Sequence, residues 1–341
     1  MTAPAFASPA PRFSVIVPTL GNAANLERLR AALAPQIAKR QVDEWIVVFD
    51  GVTPAPALEA ALSASGARIV TLAARGGPGA ARNAGARVAG RDWLAFTEDD
   101  VTPADDWLAR AAARLEAEIG VDVLEGRTVR PGGRALRMRL DDAAQYLPTN
   151  LFVRRSVFEW VGGYCEDLFD ARRGVYFRED ADLGFSLEED GARIARDPTV
   201  IVTHPDEHPS ARDALRWARR YEMDPLLAAR HPQLFRERIE VHRVGPLKIR
   251  RPIVRCSVAS VACAALALIA LAIGRPGASL ALAAAMVGFA LPLALKWRTR
   301  WWSLPVALVA PWILVSALLE GRGRAARARL AAPRSAAKRA R

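Results

Sequence analysis

Short apolar runs alternate with helix-patterned segments through the first hundred residues, and this alternation constrains the fold more than any other feature. Each run is a nearly continuous block of apolar and β-branched residues, as in strands buried on both faces. The segments between them carry apolar residues at helical spacing. The runs are FSVIVP (13–18), WIVVF (45–49), ARIVTL (67–72) and WLAFT (93–97). Strands that alternate with helices predict an α/β fold with a doubly wound, mostly parallel, Rossmann-like sheet.

Polar residues follow three of these runs. Thr19 follows the first, Asp50 follows the second, and Glu98–Asp100 follow the fourth. Ligands of open α/β sheets bind at the carboxyl ends of the strands, so these residues are expected to line one crevice. Three adjacent acids repel one another, which favours a bound cation. The alternative is an acidic turn in which Asp105 or Asp106 caps the next helix.

The segment GGPGAARNAG (76–85) is a glycine-rich loop that opens a helix. A helix N-terminus behind such a loop is a good place for a diphosphate. An ordinary turn that uses glycine for left-handed angles is the alternative. The first strand lacks a following GxGxxG, which disfavours a dinucleotide-dependent dehydrogenase.

Acids and a histidine recur downstream. Glu179 and Asp180 begin a predicted helix, where acids also gain simply from the helix dipole. Asp182 and the acids 188–190 are expected to lie on the solvated face of that helix. His204 follows a last predicted strand, and the alternative to a ligand role is a surface or packing residue.

Six blocks in series resemble the family 2 glycosyltransferases, which have the GT-A fold. They are SVIVPT, VFDG, GGPGAARNAG, FTEDD, VRRSVFEWVGGY and FREDADLGFSLEEDG. The resemblance covers roughly residues 13–235. It implies a nucleotide-binding half (13–105) followed by an acceptor half (106–235).

The resemblance implies a set of donor-binding residues. Thr19 and Asp50 would contact the base and ribose of a nucleotide-sugar donor. Arg82 and Asn83 would lie beside the donor, and Asp99 would lie near the sugar or ribose.

It also implies metal and catalytic roles. Asp100, with Glu98 and His204, would bind a divalent Mg or Mn ion, which prefers oxygen ligands. Asp180 would be the general base for an inverting displacement, supported by Glu179.

The sequence departs from the family pattern at several positions. Phe49 precedes Asp50 where the family often has a second acid, and Glu98 replaces the usual first aspartate of the metal motif. Processive members carry QxxRW, whereas this chain has Asp213 in place of the glutamine. Trp217 would stack against an acceptor, or pack in the core from an amphipathic helix.

Net charge and hydropathy indicate a membrane rather than nucleic acid as partner. The formal charge is +12, but the basic residues flank the most apolar part of the chain, and no basic-aromatic interleaving occurs. A basic juxtamembrane linker (236–255) precedes apolar segments at 256–273, 277–295 and 301–319. A basic tail (320–341) follows. Each apolar segment is near the ~20 residues that cross a bilayer.

The number of spans stays open between two and three. The positive-inside rule places the linker and the KWRTR loop (296–300) in the cytoplasm. Three spans would then place the basic tail outside, whereas a re-entrant or interfacial third segment, broken by Pro305 and Pro311, would not. Residues 1–12 are expected to be a flexible tail without a signal peptide.

These observations predict a membrane-anchored, metal-dependent, inverting glycosyltransferase. Its acceptor would be lipid-linked or part of the cell envelope, and its catalytic domain would face the cytoplasm at the inner membrane. A nucleotidyltransferase is disfavoured because TLGNAAN (19–25) has no Lys or Arg to grip phosphate. A catalytically degenerate membrane scaffold is the non-enzymatic alternative.

Overall fold

The structure is a computed structural model. It describes residues 10–39, 41–135, 146–206, 208–244, 247–296 and 300–331. These residues form two compact units. The first contains 10–135, 146–174 and 179–206, and the second contains 175–178 and 208–331.

The elements of the described chain are numbered in sequence order. The strands are β1 (Phe13–Thr19), β2 (Glu44–Phe49), β3 (Ala67–Thr71), β4 (Trp93–Phe96), β5 (Thr102–Pro103), β6 (Val123–Arg130), β7 (Arg134–Ala135), β8 (Leu151–Arg154), β9 (Phe169–Asp170), β10 (Val175–Tyr176), β11 (Ile194–Thr203), β12 (Val241–Val244) and β13 (Leu247–Arg250). The helices are α1 (Ala23–Ala38), α2 (Pro56–Ala64), α3 (Gly77–Val88), α4 (Trp107–Ala117), α5 (Arg155–Val161), α6 (Glu179–Glu189), α7 (Ala211–Arg219), α8 (Asp224–Arg230), α9 (Pro232–Leu234), α10 (Pro252–Ala272), α11 (Pro276–Lys296) and α12 (Ser303–Ala331).

The first unit is built on a mixed sheet with the strand order β3-β2-β1-β4-β8-β6-β11-β5, and β7 pairs with β6. The first four of these strands are parallel, so Ile16 pairs with Ile46 on one side and with Phe96 on the other. Strand β8 runs antiparallel to both β4 and β6. The predicted α/β class is therefore confirmed, with an antiparallel strand at the centre of the sheet.

Both faces of the sheet are covered, which explains the uninterrupted apolar runs of the sequence. Val15 and Val17 point into one apolar cluster, which includes Leu29 and Trp45. Ile16 points into the other cluster, on the opposite face. Because residues along a strand alternate between faces, a strand buried on both sides is apolar at nearly every position.

Helix α3 lies close against the sheet at Gly85. A β-carbon there would lie 2.5 Å from Ile16 Cγ2 and 3.2 Å from Val48 Cγ2. We expect Gly85→Val to cost about 1 to 3 kcal/mol through overpacking and to lower the melting temperature measured by calorimetry. Gly90→Val is the matched control, because Gly90 is exposed and a β-carbon there has its closest neighbour at 3.8 Å. An equal loss in both variants would contradict the packing explanation.

The second unit contains three helices that are long and apolar enough to cross a membrane, among the residues described. They are α10, α11 and residues Ser303–Arg327 of α12. A left-handed Gly274 (φ 72°) lies between α10 and α11, a conformation that glycine adopts without strain. The short connection makes α10 and α11 a helical hairpin.

Candidate active site at the carboxyl edge of the sheet

Three potential metal ligands come together where strands β4 and β11 end. Glu98 and Asp100 follow β4, and His204 follows β11. One ligand atom from each lies within 4.8 Å of the others. His204 Nε2 is 3.8 Å from Asp100 Oδ2. Asp100 Oδ1 is buried and has no hydrogen-bond partner among the described atoms, so this oxygen and the mixed carboxylate and imidazole set fit a divalent cation.

Arg82 from helix α3 supports Glu98. Its Nη2 donates to Glu98 Oε1 at 2.9 Å, and the arginine side chain is 1% exposed. Burial raises the pKa of Glu98, and the Arg82 charge opposes that rise. The Arg82 charge thus offsets part of the cost of burying this carboxylate.

Thr19 and Asp99 connect the ends of β1 and β4. Thr19 Oγ1 donates to Asp99 Oδ2 at 2.5 Å and accepts from the Gly21 amide at 2.9 Å. Burial raises the pKa of Asp99, and the hydrogen bond from Thr19 opposes this shift. The two turns that border the crevice are therefore fixed to each other by side chains.

Asp50 fixes the glycine-rich loop that opens α3. Its two carboxylate oxygens accept from the Gly76 amide at 2.7 Å and the Gly77 amide at 3.0 Å. Gly77 has φ 84°, and a β-carbon there would lie 2.7 Å from the Phe169 ring. The loop therefore requires glycine at this position for both conformation and space.

Asn83 holds the loop that follows α5. Its amide nitrogen donates to the Tyr164 carbonyl and to Glu166 Oε1, both at 2.9 Å. Its amide oxygen accepts from the Tyr164 backbone amide at 2.9 Å. In this structure Asn83 is thus a bridge between α3 and that loop.

The acids that begin helix α6 lie near Tyr164. Asp180 Oδ1 accepts from the Ala181 amide at 2.7 Å. Burial raises the pKa of Tyr164 above its usual range, and Glu179 and Asp180 add to the rise while Arg82 opposes it. The guanidinium carbon of Arg82 lies 5.4 Å from the Tyr164 ring centroid. A neutral phenol, an arginine and two acids therefore share one region, and Tyr164 had no sequence signal beyond its place in the VGGY block.

The family model "Glycosyl transferase family 2" matches residues 14–176. This segment is a family 2 glycosyltransferase domain. The resemblance seen in the sequence is thereby confirmed. The matched segment contains Thr19, Asp50, Arg82 and the acids after β4, whereas α6 and His204 lie beyond its end.

Curated relatives agree with this family. The pre-mycofactocin glycosyltransferase of Mycobacterium tuberculosis (strain H37Rv) is 29% identical in an alignment of 240 positions, which covers 64% of this chain and 48% of that protein. The succinoglycan biosynthesis protein ExoO of Rhizobium meliloti (strain 1021) is 31% identical in an alignment of 183 positions, which covers 50% of each chain. The match thus spans about half the length of both relatives.

A solved structure supports the GT-A fold. It is the mannosyltransferase PcManGT from Pyrobaculum calidifontis, in complex with GDP-Man and Mn2+. The similarity has a TM-score of 0.52 at 20% identity, and it covers 92% of this chain and 87% of that one. At this identity the likeness concerns the fold alone.

The structure decides the surroundings of Asp182 and Trp217, two residues outside the matched segment for which the sequence predicted solvent exposure and left a choice open, respectively. Asp182 was expected on a solvated face but is fully buried, because that face of α6 packs inside the first unit. Trp217, in the second unit, is 6% exposed, and Lys296 Nζ lies 3.2 Å from its ring centroid. This is the packed arrangement that was the alternative to acceptor stacking.

Proposed function

We propose that this chain transfers a sugar from a nucleotide-diphospho-sugar to a lipid-linked or cell-envelope acceptor, with inversion at the anomeric carbon. The observation that carries the proposal is the group Glu98, Asp100 and His204 at the carboxyl edge of a family 2 glycosyltransferase sheet. The names of the relatives, a succinoglycan biosynthesis protein and a pre-mycofactocin glycosyltransferase, support a glycan or glycoconjugate product.

The donor-binding role is proposed for residues that line the same edge. Asp50 and Thr19 fix the turns on which the nucleoside would rest, and Asp99 lies beside Thr19 for the ribose or sugar. Arg82 would add positive charge near the diphosphate. Asn83 would act by holding the neighbouring loop, given its three hydrogen bonds to that loop.

A divalent Mg or Mn ion held by Asp100, Glu98 and His204 would supply Lewis-acid stabilisation of the departing nucleoside diphosphate. The protein's own residues would supply the remaining steps. Asp180 would accept the proton of the acceptor hydroxyl as that oxygen attacks the anomeric carbon from the side opposite the leaving group. Glu179, 8% exposed and adjacent in sequence, would help to hold the base in position.

Membrane attachment is proposed for the second unit. The hairpin of α10 and α11 has the length and apolarity of two membrane spans. Basic residues are concentrated just before it, within 236–255, which favours a cytoplasmic start by the positive-inside rule. An inner-membrane location with the catalytic domain in the cytoplasm would give access to soluble nucleotide sugars.

Removal of Asp100 tests the metal site. We expect Asp100→Ala to weaken Mn binding by about 100-fold, because the substitution deletes a ligand with a buried oxygen. Mutation of residues that merely hold metal ligands in place already lowers metal affinity by about 10- to 100-fold. Electron paramagnetic resonance of Mn titrated into the purified full chain measures this directly, without reference to activity.

Asp105→Ala is the matched control for that variant. Asp105 lies five residues further along and is exposed. Its loss should leave Mn binding unchanged. If Asp100→Ala binds Mn as tightly as the wild type, the proposed ligand set is wrong. If the wild type binds neither Mn nor a nucleoside diphosphate, the degenerate scaffold becomes the better explanation.

A further inference from the structure

Helix α12 continues well beyond its apolar part. The helix starts at Ser303, and its first turns are apolar. From Glu320 it proceeds as one helix into a basic stretch that contains Arg322, Arg324 and Arg327. How the apolar half and the basic half of α12 pack within the second unit decides whether this helix crosses a bilayer.

One face of the apolar half packs along helix α7. The buried residues of this face belong to the same apolar cluster as Ala214, Trp217 and Tyr221 of the second unit. They are Val306, Ala307, Ala310 and Leu314, and Trp302, which directly precedes the helix, belongs to the same cluster. The first half of α12 is therefore fixed to the polar helical segment that begins at residue 211.

The basic half of α12 packs against the continuation of that same segment. A β-carbon at Gly321 would lie 2.1 Å from the Glu222 carbonyl oxygen, so the two backbones are in close contact. Arg324 Nη2 lies 2.6 Å from Glu222 Oε1, and Glu222 is 1% exposed. Arg219 pairs with both Glu222 and Glu320. The end of α12 is therefore held at the 3₁₀ turn Arg220–Met223 that links α7 to α8.

The segment 211–230 cannot lie in hydrocarbon. Its helix α7 exposes Arg212, Asp213 and Arg216, and charged side chains in a bilayer core are costly. A helix of about 20 residues that left this segment to cross the bilayer would carry its far end about 30 Å away. Since α12 instead contacts α7, the 3₁₀ turn and α8, both of its ends stay at one surface.

The other face of α12 is apolar and exposed. Leu304, Leu308 and Trp312 recur every four residues and are 61%, 43% and 47% exposed. Arg322 lies on the same face, five helical turns after Leu304, and is exposed. Apolar and aromatic residues followed by arginine on one face are typical of helices that lie in the bilayer interface.

We propose that α12 is an interfacial helix, with its outer face in the phospholipid bilayer surface and both ends on the side of α7 and α8. Lipid is the occupant of this face for two reasons. Helix α12 contacts the apolar α10–α11 hairpin, and it ends in arginines that suit anionic headgroups. Arg322, Arg324 and Arg327 then stay on the side of α7 and α8. The inference requires the membrane attachment of the proposed function and none of its transfer chemistry.

Cysteine labelling of the full chain tests the topology. Single-cysteine variants Arg216→Cys, Arg275→Cys and Arg327→Cys are made in a background where Cys165, Cys256 and Cys263 are replaced by alanine. All three substituted positions are exposed, so folding should be preserved. A membrane-impermeant maleimide is added to sealed vesicles, with and without permeabilisation.

Positions 216 and 327 should react from one side of the membrane and position 275 from the other. Reaction of position 327 from the same side as 275 would show that α12 crosses the membrane. It would overturn this inference and leave the proposed function intact. Reaction of all three from one side would show that the hairpin does not cross. It would refute the two spans of the proposed function, while both ends of α12 would still lie on one side, as inferred. Recovery of the chain in the soluble fraction would instead refute membrane attachment in the proposed function.

A fourth variant identifies the occupant of the outer face. Leu308→Cys carrying an environment-sensitive fluorophore should be quenched by nitroxide lipids in vesicles of phosphatidylglycerol and phosphatidylethanolamine. The same variant without the label, treated with a mild oxidant, gives the other outcome: formation of a disulfide-linked dimer through position 308, with no quenching of the labelled variant, would show that a second copy covers this face and would overturn the lipid assignment.

Discussion

Asp180→Asn should slow sugar transfer by about 10²- to 10⁴-fold, the usual contribution of a general base, while donor and Mn binding remain unchanged. Asparagine keeps an oxygen that can accept from the Ala181 amide, so the first turn of α6 should be preserved. Its amide cannot take up the proton of an attacking hydroxyl. Single-turnover transfer and calorimetric binding of the nucleoside diphosphate, both on the full chain, separate the two effects.

Asp190→Asn is the matched control for this variant. Asp190 directly follows the same helix and is exposed, so it shares the chemical change without access to the proposed site. Its transfer rate should equal that of the wild type. Wild-type transfer by Asp180→Asn would remove Asp180 from the mechanism, whereas loss of donor binding together with transfer would indicate a binding or structural role.

The parts of the fold predicted well from the sequence are those governed by local pattern. The runs at β1, β2 and β4 are buried on both faces, so each reads as a continuous apolar block. Their alternation with helices is enough to predict a parallel arrangement. The position of β8 is different, because an antiparallel strand between β4 and β6 depends on pairings with distant segments.

The same distinction applies to the site. Thr19, Asp50 and Glu98 stand directly at strand ends, so topology alone predicts that they share an edge. The bridge from Asn83 to the loop at Tyr164 joins residues 81 positions apart, and no local pattern encodes it. Asp182 was misplaced for a related reason. A carboxylate in a helix looks solvated in sequence, and only tertiary packing reveals that it is buried.

A buried ion-pair cluster in the second unit is a further feature without a sequence signal. Arg178 Nε donates to Asp224 Oδ1 at 2.9 Å, and these side chains are 2% and 1% exposed. Arg251, which directly precedes α10, pairs with the other oxygen of Asp224. Arg178 is left-handed (φ 72°) and directly precedes Glu179 in the chain. Asp224 therefore anchors both the segment before the proposed catalytic acids and the entry to the first apolar helix.

Asp224→Ala should destabilise the protein by about 3 to 5 kcal/mol, because removal of one partner leaves buried arginine charge uncompensated. For a unit of this size that corresponds to a fall in melting temperature of about 6 to 20 °C. Differential scanning calorimetry in detergent measures it. Glu240→Ala is the control, since its pair with Arg250 is 3.5 Å long and more exposed (27% and 52%), and such pairs contribute little.

Combining Asp224→Leu with Arg178→Met separates charge burial from packing. If uncompensated charge causes the loss, replacing both partners by apolar side chains should recover much of it, since buried pairs can often be exchanged for hydrophobic residues at little cost. Arg251, at 14% exposed, can still reach solvent. Arg178→Met adds no new backbone strain, because arginine already adopts the left-handed conformation there. Losses that simply add in the double variant would refute the charge explanation and would make the packing of Asp224 the cause.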